Sequence, residues 1–128
     1  MDLGNGAIRM DKLLIVDDEA INREILAQML KGDYEIDFAA NGKEALALSA
    51  KNAYSLILLD LIMPVMDGFA FLRKHQEDEN LRLIPVIVLT AATGMEVESL
   101  RMGAIDFIKK PFDAPEVIRA RVWRALRR

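Results

Sequence analysis

From Lys12 onward, short runs of branched apolar residues alternate with longer segments whose apolar residues recur at helical spacing. The runs are Leu13 to Val16, Leu56 to Leu59, Val86 to Leu89 and a weaker one from Ile105 to Ile108. The first three are continuously apolar, as strands covered on both faces must be, which predicts the central strands of a parallel sheet. Tyr34, Ile36 and Phe38 instead alternate with Glu35 and Asp37, the period of two that predicts an edge strand with one wet face. Ile21, Ile25 and Met29 form a helical stripe able to lie against a sheet, and Ile118, Val122 and Ala125 form another. Asn41 with Glu44, Thr93 with Glu96 and Asp113 with Glu116 have the three-residue offset of capping boxes, placing helix starts after the second, fourth and fifth strands. Strand and helix therefore alternate along the chain, the signature of the α/β class.

Composition acts mainly by exclusion. A length of 128 residues is material for one domain, and 52% apolar with 29% charged residues is enough for a packed core. A net charge of -3 is too small to point to nucleic acid or an anionic membrane as a direct partner. The chain has no Cys, which excludes disulfides and thiolate chemistry and suits a reducing cytoplasm. His75 is the single His; within RKHQEDEN it reads as a solvated side chain at the end of the third helix. Apolar stretches fall far short of the roughly 18 residues that span a bilayer. Residues 1–11 read as a flexible leader and 12–128 as the folded unit.

The informative positions are the strand ends. Val16 is followed by Asp17 and Asp18, Leu59 by Asp60, Leu89 by Thr90, and Ile108 by Lys109 and Lys110. In an open parallel sheet these carboxyl ends share one crevice, so the polar groups are expected to converge there. Two carboxylates about 4 Å apart repel by roughly 4 kcal/mol at an effective dielectric near 20, so three of them call for a cation. With oxygen donors only, a hard ion such as Mg²⁺ fits, with Lys110 as a second positive charge. In the loop after Asp60, Met63, Pro64, Met66 and Gly68 read as scaffold, Gly68 being the residue free to take a positive φ.

LLIVDDE (Leu13 to Glu19), LILLDLIMPVMDG (Leu56 to Gly68), VIVLTA (Val86 to Ala91) and FIKKPF (Phe107 to Phe112) together resemble the receiver domain of two-component response regulators. The resemblance runs from Lys12 to about Leu126. It implies a flavodoxin-like, doubly wound sheet of five parallel strands in the order 2-1-3-4-5 with five helices. It also implies a phosphorylation-dependent switch rather than an enzyme. By the same resemblance Asp60 is the phosphoacceptor, charged from a sensor histidine kinase or a phosphotransfer protein, a carboxylate being a legitimate covalent nucleophile. Asp18 and Asp60 would hold Mg²⁺ directly, Asp17 through water and Ile62 through its backbone carbonyl. Lys110 would pair with a phosphoryl oxygen, with a cis bond to Pro111. Thr90 would be the hydroxyl sensor and Phe107 the aromatic switch, working by packing alone because Phe lacks a hydroxyl.

Two other readings compete. A phosphatase resembling the haloacid dehalogenase family also uses an Asp nucleophile, a Thr, a Lys and Mg²⁺, but carries a second Asp as general acid where this chain has Ile62. A receiver that accepts no phosphate and serves only for docking is the other. Arg119, Arg121, Arg124, Arg127 and Arg128 crowd the last helix and read as a solvated face, with a partner surface as the alternative, and EVIRARVWRALRR resembles receivers that continue by a helical linker into an output domain. The family's frequent dimerisation through the fourth helix, fifth strand and fifth helix makes a homodimer a further expectation.

Overall fold

The computed structural model describes residues 10–91 and 94–127. Five strands, β1 (Lys12–Val16), β2 (Glu35–Ala39), β3 (Leu56–Asp60), β4 (Val86–Thr90) and β5 (Asp106–Lys109), alternate with five helices. These are α1 (Ala20–Leu30), α2 (Gly42–Lys51), α3 (Gly68–Glu77), α4 (Met95–Arg101) and α5 (Pro115–Leu126), with a 3-10 turn at Leu81–Leu83 before β4. All pairings are parallel and the order is β2-β1-β3-β4-β5, as expected. From β1 the chain crosses outward to β2, then reverses past β1 to β3, β4 and β5. Right-handed crossovers in opposite directions place α1 on one face of the sheet and α2, α3 and α4 on the other.

Strand periodicity divides the core into two layers. Leu13, Ile15, Leu56, Leu58, Ile87 and Leu89 meet Leu26 and Leu30 of α1 and Ile118, Val122 and Ala125 of α5. Leu14, Val16, Ile57, Leu59, Val86 and Val88 meet Ala45 of α2 and Phe71 and Leu72 of α3. Each fully buried aliphatic side chain stabilises by about 1.5–3 kcal/mol relative to exposure, so the central strands are the best-anchored part of the molecule.

The stripe expected on α1 is not the buried one. Ile21 is 68% exposed and Ile25 40%, while Leu26 and Leu30 face the sheet with Met29 half-buried beside them. At 100° per residue, the helix that turns Leu26 and Leu30 to the sheet carries Ile21 and Ile25 round to its outer side. Strand β2 is an edge, but its apolar alternation stops short: Tyr34 and Ile36 reach the core, whereas Phe38 is 40% exposed under the guanidinium of Arg23.

Of the three capping boxes, the one at α2 forms: Asn41 accepts from Glu44 N at 2.9 Å, and Glu44 accepts from Ala40 N at 2.9 Å. Asp113 caps nothing. Pro115 takes the first helical position, which suits its fixed φ, and moves the cap to Ala114. Thr93 lies outside the described residues; the residue preceding α4 is Gly94, at φ 88, whose N–H donates to Glu96. Of the expected leader, residues 1–9 lie outside the description, and Asp11 already belongs to the fold, its carbonyl accepting from Glu35 N at 3.0 Å. Arg119, Arg124 and Arg127 are exposed, as expected of a solvated face, and Arg121 is half-buried, but all four have partners. Arg121 and Arg124 pair with Asp106 at 2.9 and 3.1 Å, Arg119 donates to Met29 O, and Arg127 covers Trp123. Arg128 is outside the described residues. Among the described residues no helix is long and apolar enough to cross a membrane.

His75 overturns its expectation most clearly, being 1% exposed. It shares the inner face of α3 with Phe71 and Leu72, which the charged residues around it conceal. Its Nε2–H donates to Ile84 O at 2.8 Å and its Nδ1 accepts from Gln76 at 2.9 Å, an arrangement that holds the ring neutral. Burial pushes its pKa below the ordinary 6.5, against smaller opposing effects from Ile84 O and Asp78. Below pH 6.5 the unfolded chain therefore takes up a proton that the folded chain refuses, and stability falls with pH. Urea midpoints should show this loss between pH 7 and 5.5 in the wild type relative to His75→Gln, whose own lower stability should lack that component of the slope.

Candidate functional site

The crevice lies where the strand order reverses, between β1 and β3, with the loops after β4 and β5 at its side. Strand β1 ends in Val16 and the chain turns at once into α1, so Asp17 is buried completely while Asp18 is exposed at the mouth. Asp17 is held from several directions. Its N–H donates to Ala39 O at 3.1 Å, one carboxylate oxygen accepts from Glu19 N at 2.9 Å, and the other lies 2.8 Å from Lys110 Nζ. Asp60 is the last residue of β3, almost wholly buried, with Lys110 Nζ 3.3 Å from Oδ2 and Ile62 N–H donating to Oδ1 at 3.4 Å. Oxygens of Asp17, Asp18 and Asp60 all fall within 4.8 Å of one another.

Burial first, and then the charge of Asp17, push the Asp60 carboxyl up to about 6, against the pull of Lys110 and the Ile62 N–H. Lys110 responds in the complementary sense. Burial alone would lower its pKa, but its bond to Asp17 and the charges of Asp60 and Asp17 outweigh that and hold it above the ordinary value. It is a fixed cation. Three carboxylates with one ammonium remain an anionic cluster, and the donors are all oxygen. That set could hold a metal ion, and its chemistry fits a hard divalent one.

The structure thus brings Asp17, Asp18, Asp60 and Lys110 together. Thr90 ends the neighbouring strand, buried, and its carbonyl accepts from Lys110 N at 2.9 Å. Lys110–Pro111 is cis, as the resemblance implied. Phe107 is not in the cluster; it pairs with Val88 in register and packs, half-buried, on the α3 side of the core. The Ile62 side chain is 63% exposed, and its contact with the cluster is the backbone N–H that reaches Asp60.

In the loop after Asp60, the expected glycine role falls elsewhere. Gly68 does not take a positive φ; a Cβ there would press into the Asp60 carbonyl and stand 2.7 Å from Leu61 Cα, so the residue is needed for close approach. The positive φ belongs to Val65, at 70, in a tight turn closed by Met66 N donating to Pro64 O at 2.8 Å. Met66 O in turn accepts from Gly42 N at 2.8 Å, fastening the loop to α2. The sequence reading also missed Asp67, which caps α3 through Ala70 N, and Arg23, which donates to Asp17 O at 2.7 Å. Asp67 carries the usual signal of an acidic residue just before a helical stripe. Arg23 carries none.

Residues 13–122 match the family model for the response regulator receiver domain. The response regulator PleD of Caulobacter vibrioides is 41% identical over 105 residues, covering 80% of this chain and 23% of that protein. A putative response regulator from Chloroflexus aurantiacus superposes with TM-score 0.88 at 31% identity, covering 94% of this chain and 100% of that one. The receiver domain of the sensor histidine kinase PA1611 from Pseudomonas aeruginosa, solved with magnesium coordinated in its active-site cleft, gives TM-score 0.85 at 28% identity with the same coverage. Curated relatives are longer: the chain spans 23% of PleD and 47% of Rre1 from Synechocystis.

Two stability measurements follow from this geometry. Between pH 4 and 6 the folded chain keeps a proton on Asp60 that the unfolded chain has released, so the stability due to this group declines as pH rises. With chelator present, Asp60→Asn should therefore exceed the wild type by about 2 kcal/mol at pH 7, with the advantage vanishing near pH 4 in urea titrations. Relief of the strained β-branched turn residue should make Val65→Asn more stable by about 1 kcal/mol, read as a higher melting temperature.

Proposed function

The chain belongs to the response regulator receiver domain family, and on that footing we propose that Asp60 is its phosphoacceptor, served by Lys110, Thr90 and a magnesium site. The protein is a phosphorylation-dependent signalling switch, and receiver domains partner with histidine kinases or phosphotransfer proteins. The observation that carries the assignment is the convergence of three carboxylates within 4.8 Å, two of them held by one buried ammonium.

In this reading an Asp60 oxygen attacks the phosphorus of a phosphohistidine, the P–N bond breaks, and the histidine leaves. Phosphoryl transfer needs alignment and charge neutralisation more than covalent help. The carboxylates of Asp18 and Asp60 and the backbone carbonyl of Ile62 would hold Mg²⁺, with Asp17 acting through water. When bound, the ion neutralises charge on the phosphoryl oxygens and orients them. Asp60 with a pKa of about 6 is ionised at neutral pH yet more basic than an ordinary carboxylate. Lys110 exchanges its bond to Asp60 for one to a phosphoryl oxygen. Thr90, fixed to the Lys110 backbone, donates its hydroxyl to another. Its movement lets Phe107 repack and shifts the α4, β5 and α5 surface; a near-complete switch requires about 5.5 kcal/mol of differential binding. The longer relatives support an output beyond the receiver unit, reached from α5, and exposed Trp123 on α5 suits a surface for that output or for a second copy.

The phosphatase alternative finds no general acid, since Ile62 can neither give nor take a proton there. Incubation with Mg²⁺ and a small acyl phosphate should add one hydroxylamine-sensitive phosphoryl group, seen by mass spectrometry. Asp60→Ala or chelator should abolish it, and Lys110→Ala should slow it at least about tenfold. Equal labelling of Asp60→Ala would sink the assignment. Mg²⁺ binding without labelling would favour a docking module, and turnover of a phosphomonoester would favour the phosphatase.

A further inference from the structure

Helix α1 places a second cation beside the acidic cluster, and its contacts are unusual. Arg23 is half-buried, and among the described residues it pairs with no carboxylate although three lie at the adjoining strand ends. One Nη1–H is directed instead to the main-chain oxygen of Asp17, at 2.7 Å. The guanidinium lies 5.8 Å from the centroid of the Phe38 ring, the residue of β2 whose incomplete burial broke the strand's alternation. Phe38 stands beside Ile15 in register, one residue before the strand position that flanks Val16, so the ring is built on the sheet itself. The Arg23 N–H also closes the first turn of α1 onto Glu19 O at 3.2 Å. The side chain thus spans from the edge strand to the turn from which both acidic side chains project.

We propose that Arg23 is a positioning residue of the metal and phosphoryl site. It acts through Asp17 by fixing the peptide between Asp17 and Asp18, with Phe38 as the platform that holds the guanidinium in place. The inference rests on the reading of Asp17, Asp18 and Asp60 as the metal site. A guanidinium suits the task because its planar fork can bond a carbonyl edge-on while its face lies against an aromatic ring. The side chain of Asp17 is already committed to Lys110 and Glu19 N, and its N–H, in the preceding peptide, to Ala39 O, so its carbonyl is the last of its own polar groups to be fixed and the one that orients the peptide to Asp18. Rotation of this unit would swing Asp18 away from Asp60.

Charge and positioning predict opposite signs. As a mere nearby cation, Arg23 repels Mg²⁺, and its removal would tighten binding. As a positioning residue, its removal weakens binding, as loss of outer-shell partners of metal ligands usually does, by about tenfold or more. Mg²⁺ titrations followed by backbone amide NMR shifts would compare wild type, Arg23→Ala, Arg23→Lys and Phe38→Leu, with turnover of a small acyl phosphate at saturating Mg²⁺ as a second readout. The expected result is affinity about tenfold weaker in Arg23→Ala and a lower maximal rate of phosphoryl uptake with KM for the donor little changed. Arg23→Lys should recover part of both, and Phe38→Leu should shift the same way by a smaller factor. Tighter binding in Arg23→Ala, or unaltered affinity with only a lower melting temperature, overturns the proposal. Should Arg23→Ala fail to fold, Phe38→Leu decides: weaker Mg²⁺ binding supports the role, unchanged binding overturns it. A wild type whose Asp18 and Asp60 amides ignore Mg²⁺ would instead overturn the site reading beneath it.

Discussion

Mutual repulsion among three carboxylates at one sheet edge is the constraint around which this molecule is arranged. Left alone, such a cluster would open the crevice or protonate. Lys110 prevents the first by bridging Asp17 and Asp60 at 2.8 and 3.3 Å, and the pKa of Asp60, raised first by burial and then by the charge of Asp17, shows that part of the tension remains. The cluster is therefore only partly neutralised, which leaves it receptive to further positive charge. A fold that simply maximised stability would replace one of these acids.

The scaffold tolerates that charge because the layers beneath it are so firmly anchored. Alternate residues of β1, β3 and β4 are buried on both faces of the sheet, and the acids enter only where those strands run out. Close approach of Gly68 to the Asp60 carbonyl and the bond from Gly42 to Met66 then hold the following loop against the strand end. Strain collects in that loop, at Val65, instead of in the core.

Much of this was legible in the residues alone, for a physical reason. Parallel strands buried on both faces must be continuous apolar runs, and their carboxyl ends must share a crevice, so Asp18, Asp60 and Lys110 could be gathered by topology. What failed required knowledge of where an element ends in space. Ile21 and Ile25 repeat correctly for a helix, yet a stripe does not reveal which of two apolar faces the sheet will take, and here it takes Leu26 and Leu30. His75 was hidden by charged neighbours that occupy the other side of α3. The positive φ expected at Gly68 falls at Val65 because a glycine can serve close approach as well as a positive φ, and composition does not distinguish them. Arg23 left no signature, since what it recognises is a backbone oxygen.

The ion pair between Asp17 and Lys110 joins the first strand's exit to the last strand's exit, with four strands and four helices between them. Closing so long a loop carries an entropic cost that contacts between neighbouring elements do not. A chain still emerging during synthesis, or one that stalls before its final strand docks, would lack the assembled centre altogether. The acids of the first and third strands thus depend for their ammonium on the last strand of the sheet, and the two ends of the fold are coupled through a single contact.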